Sequence, residues 1–452
     1  MNHIKRIRGH VLTSAMGLIL LAFSACIASP PSAHASMDAQ AIELTVLQNM
    51  RANGYDGLSA VNGGNGGLWI NWRTGSNPLT TNWNGAPTNE CMVSNGVPSC
   101  ISYPPREDPL TDLRYLHNLE LYKNQNPTDS QFDQQIQTWT SIVKYEWVNP
   151  RDQRGWVYDE LFDLYRLTGD SWYAAKADAL VTHYVTRNYH PNCSCFYLTS
   201  RSHPHGYYRP VDMLTEATAL IQEGTRVGNQ AWVTDGTLAF TFIYTHAYLS
   251  AWKVFPLEMD DVLNSDRTIN QNELFLVEKG KKVGDQVKMG EVAQEAEMML
   301  HAWRTTQNAF YQTTAQSLLD GMTAAVNKLG MWDTIYGGYC QQADFSGTSY
   351  QNPGVPIIYC SKKEIGRQLI MLDAYHLADA TGLAMRYADM ESELTNLATN
   401  QGYDATAEGY LYEMQQNFSI ITIKGQPANW VTSEADGAAL EALFSLSDPV
   451  PW

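Results

Sequence analysis

Basic residues are scarce in this chain. Thirty Lys and Arg stand against 47 Asp and Glu, for a formal net charge of −17. Nucleic-acid binding needs clustered Lys and Arg to meet phosphates, so that class of function is excluded. A polyanionic substrate is disfavoured for the same reason, unless a basic pocket forms locally. Long apolar runs are also missing after about residue 27, so no later segment is expected to span a bilayer. No complete cofactor motif occurs, and none is expected to be needed.

What the N-terminus does contain is ordered. Lys5, Arg6 and Arg8 precede an apolar stretch from Val11 to about Ile27, and Ala33-His34-Ala35 follows. That order reads as a secretory signal peptide over residues 1–35, with an exported chain beginning at Ser36. A lipid anchor at Cys26 is the weaker reading, because Phe23 is a poor residue three places before it.

Six of the seven cysteines lie beyond that segment. An even number in an oxidising compartment suggests disulfides. Proximity pairs Cys91 with Cys100 and Cys340 with Cys360. Cys193-Ser194-Cys195 is tight for an ordinary bridge, although such bridges exist. With His190 it also makes a partial zinc pattern, but a structural zinc site needs four ligands. The stretch Asp261–Glu273 is similar to a calcium loop, with one residue too many near its start and Arg267 where Gly is wanted. No metal site is therefore assigned.

Residues 57–105 are rich in Gly, Asn, Pro and Trp and have no helical period. They read as an irregular arm, with a short strand expected near Gly67–Asn71. After the arm the chain repeats one plan. In Leu161–Asp170 the apolar positions recur at helical spacing, Thr-Gly-Asp stops the helix, and a second helix starts at Trp172. The same plan spans Leu116–Val143, Leu214–Tyr244, Met298–Val326 and Leu369–Leu397. Unpaired helices are expected at Asp38–Asn53 and Ser433–Leu446. Five hairpins plus two terminal helices make six pairs if the ends meet. The expected fold is an all-α closed toroid occupying residues 36–452 as one catalytic domain. An open α-solenoid is the alternative, disfavoured by the length and irregularity of the units.

In such a ring one rim carries the entries into the first helix of each pair. These entries hold Arg106–Asp112, Asn149–Glu160, His203–Asp212, Lys288–Glu291, Cys360–Arg367 and Asn429–Asp436. Each has a carboxylate, and most add an aromatic or a cation. A carboxylate at a helix start also serves as a cap, contributing about 0.5–2 kcal/mol. Capping does not require Trp156, Tyr207, Tyr208 or Trp430 beside it. Aromatic rings stack on sugar rings, and paired carboxyl groups cleave glycosidic bonds. Asp108 and Asp112 lie at i and i+4, with Arg106 and Arg114 near them; Asp159 and Glu160 are adjacent. An insertion at Leu257–Asp285, containing Asp260-Asp261, is a candidate lid.

The hairpin text LYRLTGDSWYAAKADAL, the block Gly337-Gly338-Tyr339 with Asp344, KKEIGRQLIMLDAYHLADATG and Gly409–Glu413 resemble the six-hairpin glycosidase superfamily. The likeness spans roughly Asp108–Leu446 and implies an (α/α)6 toroid, without fixing the reaction. The chain is more distantly similar to the N-acylglucosamine 2-epimerase group. That group uses a histidine after an inner-helix glycine and another near the C-terminus. Here Glu291 follows Gly290 and no histidine follows His376, so epimerisation is not expected. The expected function is glycoside hydrolysis by a monomer acting on an oligo- or polysaccharide. Asp108, Asp112 and Glu291 are the catalytic candidates. Trp156, Tyr207, Tyr208 and Trp430 are expected to stack on sugars, and Arg209 and Arg367 to anchor them. A polysaccharide lyase using His205, Tyr207, Tyr208 and Arg209 is one alternative; a non-catalytic glycan-binding protein is the other.

Overall fold

The computed structural model describes residues 38–55, 67–68, 71–72, 91–94, 97–100, 109–147, 155–323, 329–383, 387–423, 426–427 and 430–447. The signal-peptide reading, Arg106 and Asp108 lie outside the described residues. Residues 37–452 form one compact unit. No helix among the described residues is long and apolar enough to cross a membrane.

Twelve α-helices of nine residues or more organise the described residues. They are α1 (Ala39–Asn49), α2 (Pro109–Gln125), α3 (Asp133–Glu146), α4 (Trp156–Thr168), α5 (Ser171–Leu180) and α6 (Pro210–Val227). After them come α7 (Gln230–Ala247), α8 (Met289–Thr306), α9 (Ala309–Met322), α10 (Ile365–Ala378), α11 (Ala388–Asn396) and α12 (Ser433–Ser447). The turn chemistry explains the boundaries. Gly169 ends α4 at φ +70°, and Asp170 then caps α5 by accepting from the Trp172 N–H at 2.9 Å. Gly228 and Asn229 repeat this between α6 and α7. Between α8 and α9, Gln307 takes the left-handed position and Asn308 caps. A left-handed residue frees the chain to turn, and the following side chain satisfies the new helix's first N–H groups.

The even-numbered helices make an inner ring: α2 packs on α4, α4 on α6, α6 on α8, α8 on α10, α10 on α12, and α12 returns to α2. Each also packs on an odd-numbered outer helix, and α12 takes α1 as its partner. The closed toroid is thus observed, with both chain ends completing it. At the closure, Asn118 donates to the Gly437 carbonyl at 3.4 Å and Gln125 to the Phe444 carbonyl at 3.1 Å. Asn49 of α1 donates to the carbonyls of Ala407 and Glu408, just before the strand that leads toward α12. Apolar side chains such as Leu113, Leu161, Leu214, Leu369 and Leu443 are wholly or almost wholly buried in the core.

Short antiparallel strands clamp one rim. Tyr207–Tyr208, Gln286–Lys288, Lys362–Glu364 and Val431–Thr432 each lead into an inner helix. They pair with Met259–Asp260, Gln342–Phe345, Glu413–Gln415 and Asn71–Trp72, respectively. The strand expected near residues 67–71 falls at Asn71–Trp72. Cys340–Cys360 forms as expected, and Cys193–Cys195 is bridged as well, which removes both thiols of the partial zinc pattern. Cys91 and Cys100 face each other in hairpin register. In the insertion, Glu273 is fully buried and accepts from the Tyr208 hydroxyl at 2.7 Å. It is therefore not free to serve as the last ligand of a calcium loop.

Two predictions follow from the packing. Gly155 abuts the backbone of Thr215, and a Cβ there would collide with its carbonyl. Gly155→Ala should cost about 1–3 kcal/mol in a denaturant titration. Glu216 of α6 is buried, and burial raises its pKa from 4.5 to about 8 against the opposing hydrogen bond from Asn188. A pKa raised on folding stabilises below the unfolded value and loses that stability as pH rises through the folded one. The melting temperature should therefore fall between pH 5 and pH 8.5, and Glu216→Gln should flatten that fall.

Candidate active site in the central cavity

The inner ring encloses a cavity of about 500 Å³, a size usual for small-ligand sites. Every inner helix contributes to its wall. The wall positions recur three or four residues apart: Thr111, Arg114, His117 and Leu121 on α2; Asp159, Asp163 and Arg166 on α4, with Glu160 beside the first; Glu291, Gln294, Glu297 and His301 on α8. This is one face of a helix turned inward. The wall carries nine carboxylates, four arginines and two histidines.

Because strands lead directly into α6, α8, α10 and α12, the first-turn residues of those helices sit at the clamped rim. There Arg209 donates to Glu291 at 2.7 Å and approaches Glu258 and Asp212 at 3.5 and 3.7 Å. Arg367 meets Glu434 at 2.9 Å. Gly290 lets the Arg367 stem pass, since a Cβ there would collide with it. Farther along the helices, Arg114 donates to Glu160 at 3.0 Å, and His117 Nδ1 lies 3.0 Å from the other Glu160 oxygen. Burial pushes Glu160 up, but the His117 and Arg114 contacts outweigh it and hold the carboxyl at about 2. Burial would pull His117 down; Glu160 and Glu441 together raise it well above its usual range. Asp159 lines the wall beside them, hydrogen-bonded to Gln222. Burial, then the charges of Asp163 and Glu160, push it well above the usual carboxylate range. Glu297 is raised by burial and by Asp373 and Glu441. The wall thus mixes paired charges with carboxyls whose pKa burial and like charges push upward.

Of the residues expected from sequence, the structure brings Glu291, Arg209 and Arg367 together at the cavity. Asp112 is not part of the wall. It is fully buried, accepting from the Leu68 N–H at 2.8 Å and the Trp139 indole at 3.2 Å, so it ties the N-terminal arm to α2. Tyr208 is buried with its hydroxyl on Glu273, Tyr207 packs against His203 outside the wall, and Trp430 is buried behind it. The four lyase candidates are accordingly not assembled: only Arg209 lines the cavity. Trp156 opens α4. Among the described wall residues Phe444 is the sole aromatic, so the expected stacking platform is replaced by a charged lining. The adjacent pair Asp159 and Glu160 noted in the sequence does face the cavity; the residues missed were His117, Glu297, Asp373 and Glu441. Their signal was a second polar face at three-to-four-residue spacing inside otherwise apolar helices.

The sequence matches no protein-family model, and no curated protein matches it. Solved structures do match over nearly the whole chain. One is the GH76A α-1,6-mannanase from Salegentibacter sp. HEL1_6, at 9% identity and TM-score 0.57, covering 91% of this chain and 100% of that one. Another is the unsaturated glucuronyl hydrolase from Streptococcus agalactiae, at 10% identity and TM-score 0.59, covering 91% and 92%. D-mannose isomerase matches at 12% identity and TM-score 0.55, covering 92% and 99%. The fold is the six-hairpin toroid. At these identities the likeness is one of architecture, and the chemistry of this toroid rests on its own residues.

The account of Asp112 is directly testable. Asp112→Asn leaves a buried acceptor site poorly matched to two donors, and should cost about 1–3 kcal/mol of stability. Turnover by the folded fraction should be unchanged, as read by activity normalised to native circular dichroism.

Proposed function

We propose that this protein is an exported glycoside hydrolase that binds an oligosaccharide segment in the central cavity. One observation carries the reading. Five inner helices each place at least one carboxylate on a single shared wall, and the sixth adds Arg114 and His117. Carboxylates accept hydrogen bonds from sugar hydroxyls, and two of them on opposite sides of a glycosidic bond supply the acid and the base of its hydrolysis. An adenylate, a nucleic acid or a bulky apolar ligand would find little to match in such a lining.

Glu291 is assigned as the base or nucleophile, because it lines the cavity in the first turn of α8 and Arg209 fixes its carboxylate there at 2.7 Å. Asp159, on a different helix and bonded to neutral Gln222, is assigned as the proton donor to the leaving oxygen. Arg367 and Glu434 hold each other at the rim, where they can turn to hydroxyl groups of an entering chain. One comparison supports this reading. The mannanase with two consecutive aspartates replaced is described as inactive, and it holds α-1,6-mannotetrose. Here Asp159-Glu160 is likewise a consecutive acidic pair facing the cavity. The lyase reading lacks its residues at the wall, and a purely binding protein would not need proton donors there.

The test is a panel of neutral and acidic oligosaccharides assayed for new reducing ends and for unsaturated uronides absorbing in the ultraviolet. The expected result is reducing ends alone, with Asp159→Asn and Glu291→Gln each lowering kcat by about 10²–10⁴-fold while the fold is kept. Full activity in both variants would overturn the assignment. Ultraviolet-absorbing product would replace hydrolysis with elimination.

A further inference from the structure

We propose that His117, Glu160 and Glu441 form a binding site for one divalent transition-metal cation, of the zinc or manganese class, in the wall of the cavity. This inference does not rest on the hydrolase reading, and its test reads binding rather than turnover.

Among the described residues these three are the one group of His, Cys and carboxylate side chains whose ligand atoms all lie within 4.8 Å of one another. They come from α2, α4 and α12, which are consecutive in the ring. His117 Nδ1 lies 3.0 Å from Glu160 Oε2 and 4.0 Å from Glu441 Oε1. Ligands about 2.0–2.2 Å from a tetrahedral zinc are separated by roughly 3.3–3.6 Å, so both of these separations are well under 1 Å from what a shared ion requires.

The directions of the atoms supply the independent argument. His117 and Glu160 are 9% and 8% exposed, yet His117 Nδ1, Glu160 Oε2 and Glu441 Oε1 are all buried with no hydrogen-bond partner. A plain imidazolium–carboxylate pair aligns its N–H with the oxygen. His203 and Asp260 do so at the same 3.0 Å spacing. In the cluster the same spacing joins His117 to Glu160 as an ion pair without the alignment of a hydrogen bond, and a third ligand atom, Glu441 Oε1, lies 4.0 Å from the same nitrogen. His246 and Glu273 are also 3.0 Å apart and unaligned, but no third ligand atom meets them and they make no cluster.

The surroundings fit the same assignment. Arg114 takes the other Glu160 oxygen at 3.0 Å, which orients that carboxylate and turns Oε2 toward His117. Such outer contacts fix a ligand's direction. One imidazole with two carboxylates suits zinc or manganese, whereas calcium takes six to eight oxygens. Three protein ligands leave a coordination position open, and all three residues line the cavity, so that position faces its contents. A bound cation would also link the chain's last helix to two of its earliest.

The full untagged chain, stripped with a chelator, is titrated calorimetrically with Zn²⁺ and then with Mn²⁺, Ca²⁺ and Mg²⁺. One equivalent of Zn²⁺ or Mn²⁺ per chain is expected, with a chelator-reversible rise in melting temperature. Neither Ca²⁺ nor Mg²⁺ should compete. His117→Gln and Glu441→Gln should weaken binding at least about tenfold, while His183→Ala, a substitution at an exposed histidine, should leave it unchanged. Absence of a saturable equivalent, or equal binding by all variants, overturns the site. Should a variant fail to fold, zinc-edge X-ray absorption on the loaded wild-type chain decides. One imidazole among oxygen neighbours supports the site, and sulfur or several imidazoles refute it.

Discussion

Closure of the ring is the constraint on which everything else depends. A hairpin of two helices cannot bury its apolar faces alone, and a row of hairpins leaves both end faces exposed. Here α12 solves both ends at once. It packs on α10, on α2 and on the first helix of the chain, α1. The bonds across that seam reach from Asn118 to Gly437 and from Gln125 to Phe444, more than three hundred residues apart in sequence. These are long-range contacts whose chain-entropy cost is offset only when the whole circle forms. A fold built in this way is expected to be cooperative across its full circumference.

Closure also decides the electrostatics. Six helices turned inward leave a hollow too narrow to solvate each side chain separately. Nine carboxylates share that wall with four arginines. Burial of isolated carboxylates is costly, and it is offset either by a paired cation or by a raised pKa. Glu160 takes the first course and Asp159, its neighbour, takes the second. Adjacent acids shifted in opposite directions are a consequence of two different directions out of the same helix turn. At the rim Arg209 and Arg367 offset part of the charge of the carboxylates around them, Glu291, Glu258 and Asp212 for the first and Glu434 for the second.

The hairpin plan was legible because its signals are local. Thr-Gly-Asp marks a left-handed stop and a cap whatever surrounds it, and the helices lie where that grammar puts them. The six-pair count was also legible, because closure is arithmetic once the terminal helices are recognised. Site residues were only partly legible. Asp112 and Glu291 occupy the same kind of position, an acid in the first turn of an inner helix. One points back to hold Leu68 and the other points into the hollow, and nothing in the local text separates them. Tyr208 appeared to be a rim aromatic, yet a buried carboxylate from the insertion, Glu273, claims its hydroxyl. The deeper wall residues were hidden by their helices. His117 and Glu441 become neighbours only when the two ends of the chain meet, and no spacing within either helix foretells it.

The most direct measurement is a crystal structure of the Asp159→Asn chain soaked with an oligosaccharide that the wild type cleaves. The account predicts density for sugar inside the ring, touching residues of α8 and α12 together, with α12 seated between α10 and α2. Sugar bound on the outer helices, or an opened seam between α12 and α2, would contradict it.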